Sequence, residues 1–240
     1  MAIDESARIF DLLWAPASPV KRGPRPSLTL DAILWAAIDI ADREGLEAVT
    51  MQRLATSLNS KPMSLYRYVP GKDAILELMW DAALGSAPDV GHGNWRLMLS
   101  NWAAASLQRL ERHPWLIELV GAVRSVGPRW AEWLDAGLAA QSGLPLTPAE
   151  KLAVLTLVDG HMRSTARLRL GVKASPQWAA QFGRMLEITA NNGSFPALGE
   201  LIRGGDFAGP DLSMEQMFDF GLERILDGIA AYGHGKAATW

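Results

Sequence analysis

The chain of 240 residues contains no cysteine. That absence removes disulfide frameworks, thiol nucleophiles, iron–sulfur clusters and cysteine zinc sites together. No stretch approaches the roughly 18–20 consecutive apolar residues of a membrane span. The first residues are acidic at Asp4 and Glu5, with no basic segment leading into an apolar run, so no secretory signal is expected. Asn192-Gly193-Ser194 then reads as a chance glycosylation sequon. The expectation is a cytoplasmic protein without a membrane partner. A large charge of either sign is also missing, because 23 Lys+Arg face 26 Asp+Glu for a formal net charge of −3. A protein that coats nucleic acid by bulk charge would be basic throughout. That class is disfavoured, although net charge hides asymmetry and a local site stays open.

With 49% hydrophobic and 20% charged residues, the chain has ample material for a packed core and little reason for wholesale disorder. Its charge is uneven. Between Val20 and Lys72 eight basic residues outnumber five acidic ones, and the acids all precede Ala48. Every charge from Ala48 to Lys72 is positive: Arg53, Lys61, Arg67 and Lys72. From Asp89 onward 14 basic residues meet 15 acidic ones. A small basic head on a near-neutral body fits local phosphate contact; an ordinary solvated face fits equally well on charge alone.

Residues 1–28 read as an extension. Ala7–Trp14 has the spacing of a short amphipathic helix, and Pro16, Pro19, Pro24 and Pro26 then interrupt regular structure. Lys21-Arg22-Gly23-Pro24-Arg25-Pro26 is a basic, semi-extended arm, open to a minor-groove role or to disorder. From Thr29 the pattern is helical almost everywhere. Leu30, Ile33, Leu34, Ala37, Ile40 and Ala41 give one apolar face, and Gly45 stops it. Thr50 caps a second helix carrying Leu54, Ala55 and Leu58. Asn59-Ser60 turns, Pro62 opens a third short helix, and after Pro70-Gly71 a fourth begins at Lys72-Asp73. Pro88–Gly93 is a linker. Beyond it, helices start at Asn94 (to about His113), Pro114, Pro128 (to near Gly143) and Thr147 (to about Leu170). Thr147-Pro148-Ala149-Glu150 combines a capping box with proline at the first helical position. Another helix opens at Ser175-Pro176. Asn191–Pro210 is mainly loop with a turn at Leu198–Ile202, and Ser213 starts a last helix to about Ala231. No strand and no fixed-period repeat is evident. The expected fold is all-α, with a three-helix helix-turn-helix head at 29–81, a larger helical domain at 94–232 and a tail at 233–240.

The informative stretch is Thr50–Leu76. Two short helices separated by a tight turn, the second one basic, describe a helix-turn-helix, whose second helix fits the DNA major groove while the first braces it. Lys61, Ser64, Tyr66, Arg67 and Tyr68 place donors on the second helix. Lys72 begins the next, where its charge and the free N–H groups meet phosphate together.

Leu65-Tyr66-Arg67-Tyr68-Val69-Pro70-Gly71-Lys72-Asp73, preceded by Leu54-Ala55 and Leu58, resembles the signature of the tetracycline-repressor (TetR) family of bacterial transcription regulators. The likeness extends over about Thr29–Asp81. The wording from Pro62 to Asp73 and the last helix, Phe218–Ile229, resemble the branch whose ligand domain is like that of the tetracycline repressor. The resemblance implies that Tyr66 and Lys72 contact phosphate and that Tyr68, where histidine is commoner, also reaches it. It places Lys61, Pro62, Met63, Ser64 and Arg67 toward base edges or flanking backbone, with Thr50 and Gln52 as further contacts. One departure leaves the first base-facing residue open: the family often has Ser or Thr just before the recognition helix, and here Lys61 stands there with Ser60 one earlier. For Tyr66 and Tyr68, filling the head's core is the competing role.

The resemblance also implies a homodimer on a palindromic double-stranded DNA operator, joined by a four-helix bundle from the Thr147 and Ser213 helices of two subunits. The last helix has a continuous apolar stripe: Met214, Met217, Phe218, Gly221, Leu222, Ile225, Ile229 and Tyr232. The body holds Trp95, Trp102, Trp115, Trp130, Trp133 and Trp178. Rigid aromatics of this kind line apolar ligand pockets. Trp102, Trp115, Trp133 and Trp178, with His113, Asp159, His161, Arg163 and Arg167 as polar anchors, are therefore candidates for a small-molecule effector. Their competing roles are core packing and, for Arg163 and Arg167, an exposed helical pair. Asp159-Gly160-His161 offers two metal-ligand types but specifies no third or fourth, so no metal site is assigned and a metal accompanying the ligand stays open; no cofactor is expected.

The leading expectation is a ligand-responsive transcriptional repressor, released from DNA by a small apolar or amphipathic effector. A ligand-insensitive architectural DNA binder and a helical enzyme are the alternatives. Against an enzyme, no nucleophile elbow, phosphate loop, HExxH or paired-carboxylate motif is present.

Overall fold

The computed structural model describes residues 2–15, 28–119, 126–174, 176–190, 194–203 and 214–237. The regular structure of the described residues is helical, with no strand among them. The basic arm, Asn192 and Gly193 of the sequon, and Ser213 lie outside the described residues. Two compact units divide after Ser142: Met1–Ser142 and Gly143–Trp240.

The first unit contains α1 (Ala2–Trp14), α2 (Leu30–Glu44), α3 (Met51–Ser57), α4 (Pro62–Leu65), α5 (Lys72–Leu84), α6 (Trp95–Arg112), α7 (Trp115–Glu118) and α8 (Pro128–Ala139), with a 3-10 turn at Leu46–Ala48. Helices begin where a side chain can accept from an otherwise unsatisfied N–H. The Ala32 amide donates to Thr29 Oγ1, the Arg53 amide to Thr50 Oγ1 and the Arg96 amide to Asn94 Oδ1. α2 ends at Gly45, whose φ of 87° lies in the left-handed region that glycine tolerates. Ile33, Ala37 and Ile40 of α2 share a core with Val49, Leu54, Leu65, Val69 and Ile75, all buried, as α2 packs on α3 and α5.

Two features of this unit go beyond the sequence pattern. α1 starts at Ala2 rather than Ala7 and packs on α5. It buries Ile9, and the Trp14 indole N–H donates to the Val126 carbonyl at 3.0 Å. Second, the Pro88–Gly93 segment, read as a linker between head and body, does not end the compact unit, because α8 is fastened back to α5. The buried Asp81 carboxylate accepts from the Trp130 amide at 3.0 Å and the Arg129 amide at 3.3 Å. A residue of α5 thus caps the N-terminus of α8. A Cβ on Gly127 would overlap the Asp81 carboxylate, so only glycine admits this approach. The Trp133 indole N–H adds bonds to the Leu84 and Gly85 carbonyls, both at 3.2 Å.

The second unit contains α9 (Pro148–Ala174), α10 (Pro176–Ala190), α11 (Pro196–Arg203) and α12 (Met214–Ala237). The capping box forms: the Thr147 amide donates to Glu150 Oε2 at 2.7 Å, and the Glu150 amide to Thr147 Oγ1 at 3.4 Å. α9 and α12 pair through Leu155, Val158, Met162 and Ala166 on one side and Phe218, Leu222, Leu226 and Ile229 on the other, all buried. Residues 233–237, read as tail, are helical. Tyr232 and Lys236, one turn apart, both donate to Glu150 Oε1 at 2.6 Å and hold the last turn on α9. α11 is a two-turn helix packed on α10, where the glycine-rich sequence pointed to one turn in a loop.

Candidate functional site

The turn between α3 and α4 is built by backbone alone. Asn59 adopts φ 47°, the left-handed region that asparagine tolerates better than most residues. The Ser60 amide donates to the Ala55 carbonyl at 2.8 Å and the Asn59 amide to the Thr56 carbonyl at 3.1 Å. This is a Schellman closure of α3, and it uses Ser60 up. Lys61 is therefore the N-cap of α4 and Pro62 its first residue.

α4 spans only Pro62–Leu65, so Tyr66, Arg67 and Tyr68, expected on the helix, lie in the turn that follows it; α4 and this turn together have two sides that differ. Leu65 and Val69 are fully buried, whereas Met63 is 75% and Tyr66 43% exposed. Lys61 and Arg67 are exposed, as are Thr50 and Gln52 at the start of α3; Pro62, Ser64 and Lys72 are half-buried. Among the described residues Lys61, Arg67 and Lys72 have no carboxylate partner. Arg53, counted with them in sequence, is different: it pairs with Glu44 at 2.5 Å and holds that carboxyl below its ordinary value. Tyr68 also differs. It is half-buried, and its hydroxyl donates to the Leu28 carbonyl at 2.8 Å, pinning the entry to α2 beside the recognition helix.

The effector candidates divide between the two compact units. Trp102 and Trp133 meet edge to face with centroids 6.3 Å apart, and the Trp102 indole N–H donates to the Trp133 carbonyl at 2.9 Å. His113 and Trp115 meet at Asp42 of α2. The His113 Nδ1–H donates to both Asp42 oxygens, at 2.8 and 3.1 Å, and the Trp115 indole N–H to Asp42 Oδ1 at 2.7 Å. All four are buried, with their polar atoms engaged inside the protein. In the second unit Asp159 pairs with Arg163 at 2.5 Å. Its neighbour His161 stacks on Phe218 and donates from Nε2 to the Phe218 carbonyl at 3.0 Å. Gly221 gives that ring its space. Asp159 and His161 are thus engaged with other partners, and among the described residues no group of three potential metal ligands gathers. The Trp178 side chain lies outside the described residues.

Sequence reasoning missed Asp42 and Asp81. Asp81 carried a signal: it follows Leu78-Met79-Trp80 and precedes Ala82-Ala83-Leu84, and an acid inside so apolar a run has an internal partner. Burial pushes its carboxyl above the ordinary value, against the opposing pull of the Trp130 and Arg129 amides.

A helix-turn-helix with an unpaired basic reading surface, set on a helical body, defines a DNA-binding regulator. Residues 33–79 match the model of bacterial regulatory proteins of the tetR family, and residues 87–232 match the tetracyclin repressor-like C-terminal domain. The HTH-type transcriptional repressor DrrR1 of Streptomyces coeruleorubidus is 37% identical over 235 residues, covering 93% of this chain and 85% of that one. The class E tetracycline repressor protein of Escherichia coli is 26% identical over 221 residues, covering 88% and 95%. The crystal structure of Streptomyces coelicolor ActR in complex with actinorhodin superposes with a TM-score of 0.72 at 26% identity, covering 85% of this chain and 96% of that one. The chain belongs to the TetR family: it is a transcriptional regulator and not an enzyme. α1 precedes both matched segments.

Proposed function

We propose that this chain is a cytoplasmic repressor that binds a palindromic operator as a homodimer and leaves it when a small apolar or amphipathic effector binds. The observation that carries the reading is the division of α4 and the turn after it, with Leu65 and Val69 anchored inward while Met63, Tyr66 and Arg67 stand free. A helix braced in this way presents side chains to a major groove without unfolding its own core. Tyr66 and Lys72 take phosphates. Lys61, Met63, Ser64 and Arg67 address bases or flanking backbone, and Thr50 and Gln52 support them from α3. Tyr68 acts through Leu28, by fixing α2 against the recognition helix.

Dimerisation is supported by apolar residues left exposed on the α9–α12 pair: Leu152, Leu157 and Leu168 on α9, and Met217, Phe220 and Tyr232 on α12. Faces of this kind are normally covered. Two heads then address half-sites about one helical turn apart. Response to an effector is supported by the likeness to ActR, solved with actinorhodin. Such a molecule switches the protein only if it binds the free and DNA-bound states with different affinity. The test is a gel shift on DNA upstream of the chain's own gene. Tyr66→Ala and Lys72→Ala are each expected to weaken binding about tenfold with unchanged helical content. Undiminished affinity in both would sink the reading.

A further inference from the structure

Arg109, in the last turn of α6, is half-buried. Its guanidinium carbon lies 5.9 Å from the centroid of the Trp133 ring. A Cβ placed on Gly85 would come within 3.3 Å of both terminal nitrogens, so the Gly85 backbone lies against the guanidinium. Yet the Arg109 guanidinium makes no hydrogen bond or ion pair with any described residue. The carbonyls of Leu84 and Gly85, at the end of α5, already accept from the Trp133 indole. The segments 16–27 and 120–125 of the same unit contain no acidic residue that might answer it. Burial, and after it the charge of Arg112, hold the guanidinium below its ordinary value.

Five other arginines are matched. Arg43, Arg53, Arg129, Arg163 and Arg224 each have a carboxylate within 2.9 Å. A guanidinium carries five donors and does not shed its charge. Held against an aromatic face and the Gly85 backbone yet still reached by solvent, its donors have water, not a protein acceptor, to answer them. The resulting arrangement is a fixed cation with open hydrogen-bonding capacity, beside the Trp102–Trp133 pair.

We propose that Arg109 is the anion-receiving group of the effector site, taking a carboxylate or acidic hydroxyl on an aromatic molecule. A carboxylate matches the donor fork of a guanidinium in two parallel bonds, and an aromatic body suits the neighbouring indoles. A fully hydrated inorganic anion would gain little from those indoles. The assignment rests on the reading of the chain as an effector-responsive regulator, and it narrows the effector from apolar or amphipathic to anionic aromatic.

The test is calorimetric titration of the full chain with 2-naphthoate and with 2-naphthamide, which share a shape and differ in charge. The acid is expected to bind at least about tenfold tighter than the amide. Arg109→Gln should erase that preference while circular dichroism and operator binding stay as they are. Arg109→Lys, which keeps the charge without the fork, should retain part of it. Equal affinity for acid and amide, no binding of the acid, or an undiminished preference in Arg109→Gln would each overturn the assignment. The regulator reading fails separately: wild-type chain would then not retain the upstream DNA in a gel shift, whatever its preference for the acid.

Discussion

The reading surface and helices α6–α8 belong to one compact unit and use charged and aromatic side chains in opposite ways. Between Thr50 and Lys72, Lys61, Arg67 and Lys72 stand without carboxylates, and Met63 and Tyr66 are left in solvent. In α6–α8 the indoles of Trp102, Trp115 and Trp133 each donate an internal hydrogen bond, and His113 does the same. Free cations flanking a braced helix cost little until DNA answers them. Engaged indoles instead fix how α2 and α5 meet the helices behind them. An aromatic-rich segment therefore signalled fastening here, and the basic segment signalled contact.

The contrast breaks most visibly at Trp115, which is 2% exposed and bonded to Asp42. Trp115→Ala should cost about 3–5 kcal/mol in urea denaturation, since it opens a cavity and strips a carboxylate of one donor. A loss below about 1 kcal/mol would mean that the Asp42 junction is not a fastener at all. Next in size is Gly127→Ala. Its methyl group would displace the Asp81 carboxylate from the N-terminus of α8, at about 1–3 kcal/mol by the same measurement. A thermally neutral Gly127→Ala would show that α8 is held without Asp81.

On the reading surface the effects should move from stability to DNA. Arg67→Ala is expected to leave the unfolding midpoint almost unchanged and to weaken operator binding about tenfold. If Arg67 meets phosphate rather than a base, the slope of log affinity against log salt should also flatten by about one. Arg53→Ala is the control, because its charge is already answered by Glu44. Equal losses of affinity from Arg53→Ala and Arg67→Ala would erase the distinction between paired and free cations.

What the sequence made legible was mostly local. Thr29, Thr50 and Asn94 announce helix starts because the cap is a contact three residues long or less, and Gly45 announces a stop because few other residues accept its φ. The resemblance at Leu65–Asp73 picked out the basic reading face for the same reason: its function needs residues close together in the chain. The roles of the body residues depend on partners 31 to 73 positions away, as in Trp102 to Trp133 and Trp115 to Asp42. No spacing rule reveals such pairs. α11 and the final turn of α12 were missed because tertiary contacts with α10 and Glu150 override the local glycine content. Asp81 sits between the two cases, since its partners are distant but its apolar neighbours already mark it.

The α9–α12 pair supplies the smallest effect and extends the contrast to a surface fastener. Glu150 accepts from Lys236, Tyr232 and the Thr147 amide, and these donors, Lys236 first, hold its carboxyl at about 2 instead of 4.5. Between those two values the unfolded chain binds more protons than the folded one, so this contribution is present above pH 4.5 and fades as pH falls toward 2. Glu150→Gln should therefore flatten the acid limb of the stability profile in that window and change stability modestly at neutral pH, because solvent and salt screen an exposed cluster. Raising the salt concentration should shrink the wild-type slope toward that of the variant. If the two slopes coincide even at low salt, the three donors position the last turn of α12 without any preference for a charged acceptor, and the tie is one of shape rather than charge.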